Sequence, residues 1–372
     1  MSSTRTVSLA ALALLGACAD APPTATDEPT VPATASPKRD APAAQAPVTV
    51  VMSSLDNPRG LAWGPEGALY VVEAGNRTVK GPCAPVPRGQ NCYSGSGAIS
   101  RLWKGTQERV ASGLPSLILI TPTGPGDVTG PHDISFQGKG NAYVTIGWGG
   151  PPAARAALGA LGSGFGATIR VTPNGSWDLV AEIAGFEQAN NPAGGPLDSN
   201  PYGILAEAGR QFLTDAGGNS VLEVRANGTV SLVATLPPTP TGSEAVPTEV
   251  VRGPDGALYV SQLTGGPFTA GAASIWRVVP GAAPQIYKTG FKTITDFDWG
   301  EDGNIYLVQF ASAATLFGGP GLLIRVPPNG APVVLNSSLT NPTGVLVGPD
   351  GAIYVSNRGN QAGTGEVLRI AP

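Results

Sequence analysis

One sentence recurs along this chain. Residues 57–77 read NPRGLAWGPEGALYVVEAGNR, and residues 341–360 read NPTGVLVGPDGAIYVSNRGN. Between them the pattern returns as PHDISFQGKGNAYVTIG (131–147), PYGILAEAGRQFLTDAG (201–217), PTEVVRGPDGALYVSQL (247–263) and ITDFDWGEDGNIYLVQF (294–310). Self-similarity at a spacing of tens of residues marks a repeat architecture, in which each unit buries its apolar face against the next. The unit is an apolar strand, a Gly-rich turn and a second, alternating strand. Gly-Pro-Asp/Glu-Gly at 64–67, 253–256 and 348–351 is hairpin-turn chemistry, with Pro fixing φ at the first corner and Gly supplying the positive φ.

Each copy continues into a third strand: AISRLW (98–103), TIRV (168–171), VLEV (221–224), SIWRV (274–278), LIRV (323–326) and VLRI (367–370). Five of these lead into a fourth strand. The sixth fourth strand lies at the front, where VTVVMSSL (48–55) precedes the first copy as PVVLNSSL (332–339) precedes the last. The expected fold is all-β: a six-bladed β-propeller with four-stranded blades over residues 47–372, its last blade closed by the N-terminal strand so that the ring has no open join. The aromatic that opens each second strand (Tyr70, Tyr143, Phe212, Tyr259, Tyr306, Tyr354) is expected to pack between blades.

Residues 1–17 pair a thin positive region at Arg5 with a short apolar run from Val7 to Leu15, too short to span a bilayer and suited to a secretory signal. The run ends in Leu15-Gly16-Ala17-Cys18, which resembles the lipobox of bacterial lipoproteins and marks Cys18 for lipidation; Ala19 after it resembles the outer-membrane sorting pattern. Residues 18–46 are Pro, Ala and Thr with few large apolar groups, and read as a disordered tether. The expected location is therefore the envelope, exported and lipid-anchored, outer-membrane or periplasm-facing, with membrane contact through the lipid alone. In an oxidising compartment the two remaining cysteines, Cys83 and Cys92, are expected to form a disulfide. Charged residues make up only 13% of the chain, the net charge is −4 and no basic patch stands out, which argues against nucleic acid as a partner. The chain is read as a monomer.

With the repeats laid out, the chain resembles the NHL-repeat propellers, and more narrowly the ScyD/ScyE family. The residues that carry this are LDNPRGLAWGPEGALYVVEAG, GPHDISFQGKGNAYVTIGWGG, ANNPAGGPLDSNPYGILA, AVPTEVVRGPDGALYVSQLTGGPF and GPDGAIYVSNRGNQAGTGEVLRI. The likeness runs from about residue 47 to residue 372 and includes the insertions between repeats. The family label comes from a pigment pathway and does not supply a substrate.

Loop lengths point to one face. Connections between strands one and two, and three and four, are short; those leaving strand two and strand four are long (75–97, 115–131, 147–166, 185–201, 263–273, 310–321), and residues 153–161, AARAALGAL, suit a short lid helix. Long loops on a rigid scaffold are where binding residues concentrate. At the axis on that face the reading places Arg59, His132, Asp133, Tyr202, Thr248, Glu249, Thr295, Asp296 and Thr343, with Glu73, Ile146, Asp215, Gln262, Gln309 and Asn357 ending the second strands. Arg59, Tyr202, Glu73, Asp215, Gln262, Asn357 and Trp148 are the candidate ligand-binding residues, with Phe268 and Phe310 as further pocket walls. Asp133, Glu249 and Asp296 would repel in one channel unless one holds a proton or a divalent cation sits between them; oxygen ligands suit Ca²⁺ or Mg²⁺, and His132 would extend the choice to Mn²⁺ or Zn²⁺. His132, the one histidine, is the candidate acid or base, because an unperturbed imidazole titrates near neutrality. Two functions remain open at this point: an enzyme, metal-assisted or not, acting on a small aromatic or sugar-derived molecule, and a non-catalytic platform that binds a ligand or an envelope protein.

Overall fold

In a computed structural model, residues 47–138, 140–313 and 315–371 are described; the expected signal peptide (1–17), Cys18 and the expected tether (18–46) lie outside them. The fold is all-β, with seven four-stranded antiparallel sheets among the described residues. Five sheets follow one another along the chain, the first of them interrupted between its second and third strands. The first holds Pro58–Trp63, Leu69–Glu73, Gly97–Trp103 and Thr106–Leu114, and the second Pro131–Gln137, Asn141–Ile146, Ala167–Val171 and Trp177–Glu182. The third holds Pro201–Glu207, Arg210–Asp215, Ser220–Arg225 and Val230–Thr235; the fourth Pro247–Arg252, Leu258–Gln262, Ala273–Val278 and Gln285–Phe291; the fifth Ile294–Trp299, Ile305–Gln309, Gly321–Val326 and Val333–Leu339. The sixth joins Gly344–Val347, Ile353–Asn357 and Gly365–Ile370 to the first strand of the chain, Val48–Leu55, in register Val48↔Ile370, Thr49↔Arg369 and Val50↔Leu368.

The seventh sheet departs from the expectation of six. Its strands, Cys83–Val86, Gly89–Tyr93, Leu117–Thr121 and Gly124–Thr129, come from two long loops that flank the last two strands of the first sheet. Cys83 and Cys92 face each other across its first hairpin and are disulfide-bonded. Asn91 Nδ2 donates to Trp148 O at 2.8 Å, which ties this sheet to the loop after Ile146. Residues Pro152–Gly164 form the expected short helix, in 3₁₀ form, broken where Gly159 takes φ 60°.

The turns behave as their chemistry dictates. Gly64 N donates to Ala68 O at 2.8 Å and Gly67 sits at φ 79°, and the same pairing recurs at Gly253–Ala257 and Gly348–Ala352. The repeated aromatics meet across sheets: Tyr70 packs on Phe136 at 4.7 Å between centroids, Tyr354 on Trp63 at 5.3 Å, and Tyr259 on Trp299 at 5.3 Å.

Threonine hydroxyls bridge five of the six junctions between successive sheets. The Thr343 hydroxyl donates to Pro58 O (2.7 Å), Thr295 to Pro342 O (3.0 Å), Thr248 to Ile294 O (3.0 Å), Thr214 to Thr248 O and Thr145 to Tyr202 O. Between the first and second sheets the close approach is Gly60 against Asp133. A hydroxyl from the first or second strand of one sheet thus satisfies a carbonyl of the next, which would otherwise be a buried orphan.

Candidate functional site

The second residue of each axial pair is either a glycine or an acid: Gly60, Asp133, Gly203, Glu249, Asp296, Gly344. A Cβ on Gly60 would collide with the Asp133 carboxyl and lie 2.9 Å from its Cα, and one on Gly203 would lie 3.0 Å from Glu249 Oε2 and 2.8 Å from Glu249 Cα. The glycines therefore make room for the acids beside them. The structure brings Asp133, Glu249 and Asp296 together, each more than nine-tenths buried, in the wall of one axial cavity of about 240 Å³. Asp298, two residues beyond Asp296 on the same strand face, joins them. The remaining wall is mostly apolar, including Leu61, Ile134, Val250 and Phe297, with Trp63 and Phe136 farther along the strands.

Each acid is anchored. Asp133 Oδ2 accepts from Ile204 N at 2.8 Å, Asp296 Oδ2 from Val345 N at 2.8 Å, Asp298 Oδ2 from Val347 N at 2.9 Å, and Glu249 Oε1 from Val250 N at 2.8 Å. Three of these bonds cross from one sheet to the next. Burial pushes all four carboxyls up: Asp133 to about 7 against backbone donors and a hydrogen bond with Glu249, and Asp298 to about 6. Glu249 is raised by burial and then by the neighbouring Asp133 and Asp296 charges, and Asp296 by burial and then by Asp133. The Asp133 and Glu249 charges oppose each other in this buried wall, which favours a proton on one of them.

The axis looks different at the long-loop end. Arg59 donates to Gly359 O, to Val128 O (3.2 Å) and to Pro58 O (3.3 Å), so its guanidinium is held by carbonyls. His132 is buried, stacks on Tyr202 at 4.8 Å and bonds through Nδ1 to Pro201 O at 2.9 Å. A carbonyl only accepts, so Nδ1 carries the hydrogen. Burial, and then the Arg59 charge, hold the imidazole down to about 3, so the expectation that His132 titrates near neutrality is corrected: it is neutral and a weak base. Burial pushes the Tyr202 phenol up to about 12. None of these three lines the cavity, which extends from the acids toward Trp63, Phe136, Val251 and Leu346. It therefore runs toward the short-turn end, opposite to the face that loop length favoured.

The polar groups ending the second strands turn away from the axis to pin the chain entering their own sheet. Glu73 accepts from Asp56 N (2.7 Å), Ser100 Oγ (2.6 Å) and Arg109 Nε (3.1 Å). Asp215 accepts from Asn200 N (2.6 Å) and Ser199 Oγ (2.7 Å), Gln309 from Lys292 N (2.9 Å) and Asn357 from Thr340 N (2.7 Å). Gln262 accepts from Trp276 Nε1 at 2.6 Å. Trp148 is wholly buried with its Nε1 on Pro151 O at 3.0 Å, and Phe310 packs on Phe317. The cavity wall holds none of these residues, nor Phe268.

A divalent cation between the three acids fits poorly. Each carboxylate already gives one oxygen to a backbone N–H, and among the described residues no group of three or more His, Cys, Asp or Glu side chains gathers closely enough to hold a metal ion. What the arrangement offers instead is protonated and ionised carboxyls side by side in a low-dielectric wall, which can hold or pass a proton.

No family model matches the chain, and no curated protein matches it. Among solved structures it is similar to a Thermus thermophilus protein assigned as an oxidoreductase (glucose dehydrogenase), at 16% identity and TM-score 0.52, over 87% of this chain and 99% of that one. It is also similar to virginiamycin B lyase from Staphylococcus aureus, at 15% identity and TM-score 0.48, over 88% of this chain and 100% of that one. At these identities the likeness concerns the fold, and the chain is a β-propeller.

Proposed function

We propose that this chain is an exported, monomeric six-bladed propeller of the ScyD/ScyE type that binds a small molecule in its axial cavity. In this reading six sheets are the blades over residues 47–372, and the disulfide-bonded seventh sheet is an insertion. Residues 1–17 are a lipoprotein signal, Cys18 is the lipidated residue and residues 18–46 are the tether. The observation that carries the reading is the cavity of about 240 Å³ into which the sequence directs three buried acids from three separate repeats. Where the bound molecule is turned over, the Asp133–Glu249 pair moves the proton and His132 does not.

The test begins with a thermal-shift screen of metabolite-like compounds on the purified chain. Leu346→Trp, which narrows the cavity near the short-turn end, should abolish the binding of any hit, whereas Arg88→Ala on the disulfide hairpin should leave it intact; the reverse pattern would move the site to the long loops. If the hit is a substrate, Glu249→Gln should remove turnover while His132→Gln stays within a few-fold. The envelope assignment is tested separately: Cys18→Ala should leave the membrane fraction, and a variant that stays there refutes the anchor.

A further inference from the structure

Resting on the reading of the axial cavity as a ligand site, we infer that its ligand is an organic cation, a primary or secondary amine on a compact apolar body. The wall contributes four carboxyl groups, Asp133, Glu249, Asp296 and Asp298, and no basic side chain. Asp296 Oδ2 takes the Val345 amide, and the residue, only 6% exposed, belongs to the cavity wall. An anion placed here would meet four carboxyls and one hydroxyl, Ser135, and a polyhydroxylated molecule would leave most hydroxyls against Leu61, Ile134, Ile204, Val250, Phe297 and Val345. An ammonium group brings the donors the acids lack, and its hydrocarbon body matches the apolar wall. Trp63 and Phe136 line its path, and aromatic rings attract cations. The volume is below the roughly 300–1,000 Å³ usual for drug-sized ligands, so the molecule is small. Beyond the acids the axis carries the Arg59 cation, held by three carbonyls. A cationic ligand reaching the acids from the short-turn end meets that charge and stops, which makes the cavity a dead end for cations and not a pore.

Proton balance gives the binding step a signature. The buried acids hold protons when they face one another alone. An entering R–NH₃⁺ ion-pairs with the ionised carboxylate, and its charge lowers the proton affinity of the neighbouring carboxylic acid, which ionises and loses its proton to solvent, so cation uptake releases H⁺ while uptake of a neutral molecule does not. The experiment uses the purified full chain and three compounds matched in shape: 2-phenylethylamine, 2-phenylethanol and phenylacetate. Calorimetry at pH 7 in phosphate and in Tris, which differ in ionisation enthalpy, counts the protons. The expected result is binding of the amine with close to one proton released, at least tenfold tighter than the alcohol, no binding of the acid, and a loss of tenfold or more in both Glu249→Gln and Asp296→Asn. Equal binding of alcohol or acid, sensitive to Leu346→Trp, would overturn the inference and leave the cavity reading standing. Amine binding that ignores Leu346→Trp and both acid variants would overturn the inference and the cavity reading together. Absence of heat with all three compounds would overturn the inference for amines of this size, and the metabolite screen would then judge the cavity alone.

Discussion

Asp133→Asn tests the electrostatics of the axis directly. Asn keeps an oxygen to accept the Ile204 amide and removes only the ionisable proton. Burial holds the Asp133 carboxyl at about 7, whereas an unfolded aspartate titrates near 3.8. A raised acid binds its proton more tightly in the native state, so its contribution is favourable when protonated and is lost as pH climbs toward the folded value. At about 1.4 kcal/mol per pH unit over which only the unfolded form is ionised, moving from pH 5 to pH 8 removes about 2–3 kcal/mol, most of it below pH 7. Other groups titrate too. Glu249, Asp296 and Asp298 are raised and act in the same direction, while His132, held at about 3, acts in the opposite direction as pH falls below its unfolded value. The decisive quantity is therefore the difference between wild type and variant. Urea denaturation followed by tryptophan fluorescence at pH 5, 6, 7 and 8 should show wild type gaining about 2–3 kcal/mol on Asp133→Asn between pH 8 and pH 5. A difference that is flat with pH, or that grows toward pH 8, would refute the buried, proton-sharing arrangement.

Three further outcomes follow from the geometry. Gly60→Ala places a methyl against the Asp133 carboxyl and backbone, and should lower stability by about 1–3 kcal/mol in thermal melts, whereas Gly67→Ala, with open space around it but φ 79°, should cost only about 1 kcal/mol. Arg109→Ala leaves the fully buried Glu73 without its cation; because Arg109 is 40% exposed and two other donors remain, the expected loss is about 2 kcal/mol, and Glu73→Gln in the same background should recover part of it. Replacing Cys83 and Cys92 by Ser opens a link nine residues long, worth about 2.5 kcal/mol of loop-closure entropy, and should raise proteolytic cleavage in 83–93 before any change in the global melt.

The repeat signal made most of the fold legible, because turn chemistry and alternation are local and each copy repeats them. The pairing of Val48–Leu55 with Gly365–Ile370 was readable for the same reason: VTVVMSSL matches VVLNSSL in composition and in its position before a repeat. The seventh sheet was not legible. Its hairpins, 83–93 and 117–129, belong to different loops, and their pairing depends on a non-local meeting that Gly- and Pro-rich segments do not announce. The polar ends of the second strands were misread because position along the axis was taken for direction. Glu73, Asp215, Gln309 and Asn357 stand at the right height but bond to the chain entering their own sheet. His132 was singled out for being alone, yet burial beside Arg59 decides its chemistry, and no sequence count reports burial. Asp298 was passed over although Asp296-x-Asp298 could have revealed it, since alternate residues of a strand share a face.

The same contacts decide which variants can separate chemistry from architecture. Asp133 ties its sheet to Ile204 and fills the space left by Gly60, so any change there perturbs the ring as well as the cavity. Asp296 likewise bridges to Val345 of the next sheet. Glu249 is the exception: its anchored oxygen bonds to the amide of Val250, the adjacent residue on its own strand, and its other oxygen faces Gly203. Glu249→Gln retains an acceptor for that amide and severs no anchoring bond between sheets. A loss of binding or turnover in Glu249→Gln with an unchanged melt at pH 5 would therefore report on the cavity alone, and a melt that falls with it would mean that this acid too is part of the frame.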